Sequence, residues 1–224
     1  MANGSSPYAA FFDVDGTLLS KRSLTSFLDF VREELGWDAQ AWFATYHAAL
    51  GRLARSGAPR AELNAFYFRA FAGHREEEIA RLGAAWYARQ KRDVTFLNPR
   101  TAAEVGRHRR AGARLVLVTG SFLPVLRPLM RDLECSEALC TQPELEHGVY
   151  TGRLSGAPCL GAAKATAVVA YACREQISLE LSHAYGDDES DAAMLGVVGF
   201  PHWVEPSASY RTELSQRVWS TVSE

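Results

Sequence analysis

Nine residues near the amino terminus, Phe11-Phe12-Asp13-Val14-Asp15-Gly16-Thr17-Leu18-Leu19, constrain this chain more than any other stretch. The run begins apolar after Pro7, which reads as a short buried strand, and it ends in two carboxylates and a glycine. Alternate side chains of a strand share a face, so Asp13 and Asp15 are expected to point the same way where the strand leaves the sheet. Two like charges that close are costly without a cation or a shared proton. The plain alternative is an Asp-Gly turn joining two strands, and the remainder of the chain decides between the two.

At 224 residues the chain can bury a full core, as one large domain or as one domain with an insert. Hydrophobic residues at 47% and charged residues at 22% describe an ordinary soluble globular protein. A formal net charge of -2 gives no reason to expect nucleic acid or an anionic membrane as partner. No basic segment followed by an apolar one opens the chain, and no apolar run approaches a membrane span, so a cytoplasmic location is the expectation. Met1 to Ser6 is small and polar and reads as a frayed end. Cys135, Cys140, Cys159 and Cys173 lack metal-site spacing and fall in apolar or small-residue surroundings, so they are expected to be reduced and structural. Lys21, Lys91 and Lys164 are the only lysines; a lysine in an ordered place therefore stands out.

After Leu19 the pattern turns helical, with Ser23 as a cap before Leu24, Phe27, Leu28, Val31 and Leu35. Further helices are expected from Asp38 to about Leu53, from Pro59 to Phe71 and from Arg75 to Lys91, with no strand among them. Residues 20–95 thus read as an inserted helical domain, and residues 1–19 with 96–224 as the domain that carries it. Most of the insert's rings must be core, but Phe66, Tyr67 and Phe68 in succession around a helix cannot all face one core, which leaves one or more rings for the cleft or a dimer contact.

Beyond Asn98-Pro99 helices and strands alternate. Helices are predicted over Pro99–Ala111, Leu123–Leu133 and Ala162–Arg174, strands over Arg114–Val118, Ala138–Thr141 and His183–Tyr185, and a hairpin over Glu144–Leu154 turned at His147-Gly148. A helical turn at Ala192–Leu195, a last strand over Val197–Val204 and a last helix over Pro206–Val218 complete the reading. Such alternation implies an α/β fold, a doubly wound parallel sheet covered on both faces, with function gathered at the carboxyl ends of the strands.

Three more clusters fall in those loops. Val118-Thr119-Gly120-Ser121 puts hydroxyls and free N–H groups at a helix start, an anion cradle or a simple cap. Lys164 lies inside a helix opened by Gly161, flanked by alanines. Gly186-Asp187-Asp188-Glu189-Ser190-Asp191 packs four acids into five positions, which calls for solvation, capping or a divalent cation.

In this order and spacing the four stretches resemble the motifs of the haloacid-dehalogenase-like phosphohydrolases: Asp13-Val14-Asp15-Gly16-Thr17, Thr119, Lys164 and the Gly186-Asp187 cluster. The insert directly after the first motif is similar to the family's C1 cap, and with the Val149-Tyr150-Thr151-Gly152-Arg153 hairpin it points to the branch containing phosphoserine phosphatase. The resemblance implies a Rossmann-like core and a magnesium-dependent phosphatase acting on a small-molecule phosphate ester through an aspartyl-phosphate. Asp13 would be the nucleophile and Asp15 the acid and base. Mg2+ would be held by Asp13, the Asp15 carbonyl and Asp187. Gly16, Thr17, Thr119, Gly120, Ser121 and Lys164 would surround the phosphoryl group. Asp191 would orient a water or Lys164, Asp188 remains an alternative ligand, and Glu189 is read as solvated.

Arg22 stands where phosphoserine phosphatases carry a glutamate that meets the substrate ammonium. Reversed charge there suits a carboxylate, a second phosphate or an electron-rich ring; equally, Lys21 and Arg22 could only flank a hinge in water. Hinges are expected near Leu19–Ser23 and Asp93–Asn98. The same nucleophile would serve a phosphotransferase or phosphomutase, Lys21 would serve a phosphonatase, and a non-catalytic binding protein would keep only the fold. The protein is expected to be a monomer or homodimer.

Overall fold

The computed structural model describes residues 7–208, 210 and 211. Its elements begin with β1 (Ala9–Phe12), α1 (Ser23–Glu34), α2 (Ala41–Arg55), α3 (Arg60–Tyr67), α4 (Glu76–Gln90) and α5 (Pro99–Arg110). Next come β2 (Arg114–Thr119), α6 (Leu123–Leu133), β3 (Glu137–Cys140), β4 (Pro143–Glu146) and β5 (Val149–Leu154). α7 (Ala162–Glu175), β6 (His183–Gly186), α8 (Ala192–Leu195) and β7 (Phe200–Trp203) come last.

Five strands form one parallel sheet in the order β3-β2-β1-β6-β7, with Phe12 beside Leu117 on one flank and Tyr185 on the other. All four residues of β1 are buried, as a strand covered on both faces requires. Phe12, Leu115, Leu117 and Tyr185 join the cluster containing Val105 of α5 and Leu126 of α6. Phe11, Val116, Val118 and Ala184 join Val168 and Tyr171 of α7 and Met194 of α8. The chain steps from β1 through β2 to β3 and returns on the other side with β6 and β7. The direction of winding therefore reverses between β1 and β6, where open α/β sheets place their crevice.

Helices α1–α4 occupy the span between β1 and β2, with their bounds adjusted locally. A 3-10 turn over Trp37–Ala39 precedes α2, and α3 ends at Tyr67, where the chain tightens into a 3-10 turn over Phe68–Phe71. That change of pitch lets Tyr67, Phe68 and Phe71 all be buried, which a regular helix would not. Phe66 is left half-buried within the insert, stacked on Tyr46 at 5.5 Å with the Arg69 guanidinium 4.7 Å over its ring.

The insert and the sheet share one apolar cluster. Phe122, just before α6, has its ring 5.9 Å from Phe27, 5.1 Å from Phe68 and 5.6 Å from Phe71. α4 lies so close on α6 that a Cβ at Gly83 would stand 2.0 Å from the Pro124 carbonyl oxygen. Where the chain leaves and re-enters the sheet its two crossings pair with each other: Leu19 bridges Leu97, Ser20 N–H donates to Phe96 O at 2.9 Å, and Asn98 N–H donates to Leu18 O at 2.8 Å. The β4-β5 hairpin turns at His147-Gly148 as expected, and the segment before α4 pairs with β5: Tyr150 N–H donates to His74 O, and Gly73 N–H to Tyr150 O, each at 2.9 Å.

Three expectations need correction. The last strand starts at Phe200 rather than Val197, because Gly199 turns tightly against Glu180, leaving no room for a side chain (a Cβ there would lie 1.9 Å from Glu180 O). Cys173 is exposed, since on α7 it follows buried Ala172 by one step around the helix. Ser23 is not the cap of α1: Arg22 holds that position without a capping bond from its side chain, and Ser23 instead bonds to Asp15 and Ser121. The helix expected over Pro206–Val218 lies, beyond Arg211, outside the described residues. No described helix is long and apolar enough to cross a membrane.

Candidate active site

Asp13 follows β1, Thr119 ends β2 and Gly186 ends β6, so the sheet itself delivers three of the four sequence clusters to one crevice. Asp13 N–H donates to Tyr185 O at 2.9 Å, a last ladder bond that fixes where the carboxylate emerges. The fourth cluster arrives from α7. Lys164 Nζ lies 2.5 Å from Asp13 Oδ1 and 2.5 Å from Asp191 Oδ1, with all three side chains buried. Burial alone would discharge this lysine; the two carboxylates outweigh it and hold the ammonium above its ordinary pKa. Burial raises the Asp13 carboxyl well above the usual range against the pull of Lys164.

Asp191 is fully committed: its other oxygen accepts the N–H groups of Asp187 and Asp188, each at 3.2 Å. Asp187 Oδ1 accepts the Thr17 hydroxyl at 2.7 Å, so Thr17 holds an acid rather than standing open to an anion. Gly16, at φ +91°, leaves the room Asp187 needs, since a Cβ there would sit 2.2 Å from Asp187 Oδ2. Oxygens of Asp13, Asp187 and Asp191 lie within 4.8 Å of one another, the one such acidic cluster found among the described residues. Burial raises Asp187 to about 6, opposed by the Thr17 bond and aided by Asp191 and Asp188. An all-oxygen set in which burial penalises the ionised forms of Asp13 and Asp187 suits a hard divalent cation.

Asp188 and Asp15 take different places. Asp188 turns outward, accepts Ser190 N–H at 2.9 Å and pairs with Arg60 of α3, outside the buried cluster. Glu189 is exposed, in keeping with the solvated role expected of it. Asp15 is half-buried, and its Oδ1 accepts the Ser23 N–H at 3.0 Å. Burial raises its carboxyl to about 6 even though the Ser23 bonds and Arg22 pull it down.

Thr119 Oγ1 accepts Ser121 N–H at 3.1 Å, which leaves its own hydroxyl hydrogen to donate elsewhere. Ser121 Oγ meets Ser23 Oγ at 3.1 Å, and Gly120 O accepts Asn64 Nδ2 at 2.9 Å. Arg22 is exposed and bonded to Tyr210, whose ring reaches Gly16. Lys21 is engaged elsewhere, donating to Gln90 Oε1 at 2.9 Å and lying 3.8 Å from Asp93.

Asn64, Arg60 and Tyr210 went unnoticed in the sequence. Asn64 left the one legible trace, a polar residue among the apolar positions of α3. Arg60 is one of many arginines and Tyr210 one ring in a polar segment, and neither carries a local signal.

The profile of the haloacid dehalogenase-like hydrolases matches residues 10–196. A phosphoserine phosphatase of Mycobacterium tuberculosis is 31% identical over 225 residues, covering 94% of this chain and 69% of that one. A crystal structure of a protein of unknown function from Bordetella pertussis Tohama I superposes with a TM-score of 0.76 at 27% identity, over 96% of this chain and 97% of that one. A phosphoserine phosphatase solved as a phospho-aspartyl intermediate analogue shares the fold, with a TM-score of 0.60 at 17% identity, over 93% and 91% of the two chains. With the family profile running from β1 through β6 and covering the insert and all four acidic, hydroxyl and lysine positions, this chain belongs to the haloacid dehalogenase-like hydrolases.

Proposed function

We propose that this chain is a phosphatase that hydrolyses small-molecule phosphate monoesters through an aspartyl-phosphate on Asp13. The observation that carries the reading is a pair of carboxyls two residues apart in different surroundings: Asp13 tied to buried Lys164, and Asp15 held by Ser23 with its pKa raised to about 6. Burial raises both carboxyls, but only Asp13 has an ammonium in contact to favour the anion that a nucleophile must be, whereas a group that gives and takes a proton near neutrality is served by the raised pKa of Asp15.

In the first step a carboxylate oxygen of Asp13 forms a bond to phosphorus while the bond to the ester oxygen breaks, and Asp15 gives that oxygen its proton. In the second step Asp15 takes a proton from water as its oxygen attacks phosphorus, and the Asp13 carboxylate departs unchanged. The Lys164 ammonium, the Thr119 hydroxyl and the Gly120 N–H would hold the phosphoryl oxygens as charge moves between them. Asp13, the main-chain carbonyl of Asp15 and Asp187 would hold Mg2+, which when bound neutralises phosphate charge and the repulsion among the acids. Asp191 would keep Lys164 and the Asp187 backbone in place, its oxygens being already engaged. Residues 20–95 would act as a cap over this crevice, with Arg60 reaching from α3 to the acidic loop.

Substrate choice we assign to the ground beside Asp15, where Arg22 meets Tyr210. A cation there disfavours the ammonium of phosphoserine and suits a leaving group with a carboxylate, a second phosphate or a ring. The test is phosphate release from a panel of sugar, nucleotide, amino-acid and lipid-head-group esters, with and without Mg2+. Asp13→Asn is expected to lower turnover by about 10³-fold or more and to abolish hydroxylamine-sensitive phosphate labelling. Full activity in that variant would end the proposal.

A further inference from the structure

The loop Thr119-Gly120-Ser121 is gripped from the insert at two points. Ser23 Oγ meets Ser121 Oγ at 3.1 Å, and Asn64 Nδ2 donates to Gly120 O at 2.9 Å. The second grip belongs to a longer chain of bonds. Asn64 Oδ1 accepts from Thr141 Oγ1 at 3.4 Å, Thr141 Oγ1 accepts Cys159 N–H at 3.1 Å, and Thr141 N–H donates to Ser121 O at 3.0 Å. Asn64, Thr141, Cys159 and Ser121 are all buried. A buried amide is costly unless both ends are bonded, and here one end holds the proposed phosphate loop while the other holds the end of β3. Through Cys159 the chain continues to the segment that opens α7 and carries Lys164.

The Gly120–Ser121 peptide is thereby pinned on both sides, its C=O by Asn64 and its N–H by Thr119 Oγ1. With that plane fixed, the neighbouring Gly120 N–H and the Thr119 hydroxyl each keep one direction. Nothing within the loop itself bonds the Gly120 carbonyl. We infer that Asn64, from the helical insert, is a positioning residue that aims the Thr119 hydroxyl and the Gly120 N–H at the transferring phosphoryl group. The inference rests on the phosphatase reading. It makes the phosphate cradle a joint product of insert and sheet: undocking α3 would leave the loop free to turn, even with every phosphate-touching group intact.

The experiment uses the full chain with Mg2+ and p-nitrophenyl phosphate, comparing wild type with Asn64→Asp, Asn64→Leu, Thr141→Val and the Asn64→Asp/Thr141→Val pair. Asn64→Asp keeps the shape and the acceptor for Thr141 but replaces the donor to Gly120 O with an oxygen. Asn64→Asp and Asn64→Leu are expected to lower kcat by about 10- to 100-fold, as loss of an outer-shell partner does, with KM moving by less than about three-fold. Inhibition by orthovanadate, which copies the transition state, should weaken by the same factor as kcat/KM while inhibition by inorganic phosphate holds. Thr141→Val should cost about 3- to 10-fold in kcat, and the pair should be no worse than Asn64→Asp alone, since both act through one chain. A merely structural role would lower the melting temperature and the folded fraction while leaving the ratio of vanadate to phosphate inhibition unchanged. That result, or wild-type kcat in Asn64→Asp, overturns the inference alone. Absence of turnover by the wild-type chain on the whole ester panel overturns the phosphatase reading and this inference with it.

Discussion

Asp15 differs from Asp13 in having no ammonium against it, and that difference sets its chemistry. Ser23 holds it, and burial has raised its carboxyl to about 6, so near neutrality it can both give and accept a proton. Asp15→Asn keeps the shape and removes the proton, and is expected to lower turnover of alkyl phosphates by about 10²- to 10⁴-fold. Nitrophenyl phosphate should suffer much less, because nitrophenolate leaves without help. Equal losses on the two esters, measured by steady-state kinetics, would remove Asp15 from that role. On α5, His108 makes a second statement at this scale. It is buried, with Nε2 2.8 Å from Tyr185 Oη and Nδ1 3.2 Å from Tyr8 Oη. Burial, then the Arg107 charge and His183, hold it down to about 4. The folded protein refuses a proton that the unfolded chain takes near 6.5, so this site's stability is present above that pH and lost as pH falls toward 4. Asp15 and Asp187, raised to about 6, act in the opposite sense. The comparison that isolates His108 is therefore wild type against His108→Asn: the melting temperature of the variant should fall less between pH 6.5 and 4. Parallel curves would refute it.

Between α4 and α6 the packing reverses an ordinary rule about helices. Alanine in place of a mid-helix glycine usually gains up to about 1 kcal/mol from reduced chain entropy. At Gly83 the added Cβ would meet the Pro124 carbonyl oxygen at 2.0 Å, and rigid backbone cannot yield as a side-chain tip can. Gly83→Ala is thus expected to destabilise by about 1–3 kcal/mol, as overpacking does, read from denaturant unfolding; a more stable variant would show that the two helices separate easily. Contacts of this kind also mark the boundary of what the sequence discloses. The strands, the hairpin turn and the four clusters were legible because each is written locally, in an apolar run, a His-Gly turn or a grouping of acids. The tightening after Tyr67 and the turn at Val197–Gly199 were not, since distant partners decide them: the rings around Phe122 in one case and Glu180 in the other. Ser23 shows the same limit within one residue. A serine before an apolar helical stripe reads as a cap, and only the folded chain brings Asp15 and Ser121 to it.

For the molecule as a whole, the pattern of four helices without a strand suggested an insert that could stand apart, joined through two hinges. The packing argues for one cooperative body. Phe122 belongs by sequence to the sheet's connection and by contact to the rings of Phe27, Phe68 and Phe71. β5 is bridged by the segment before α4 at Val149 and Arg75, and the two crossings are paired at Leu19 and Leu97. Removing the insert would expose Phe122 and Tyr150 and leave the edge of β5 that faces residues 73–76 without its backbone partners. Such surface costs about 25 cal/mol per Å² of apolar area, enough over several aromatic side chains to exhaust the roughly 5–15 kcal/mol by which a domain is usually stable. Scanning calorimetry of the full chain should therefore show a single transition whose calorimetric and van't Hoff enthalpies agree. A chain with residues 20–95 replaced by a short glycine-serine link should show no cooperative melt. Two resolved transitions, or a link variant that melts sharply, would mean that the insert docks on a sheet already folded without it; closure could then be a free motion of two bodies.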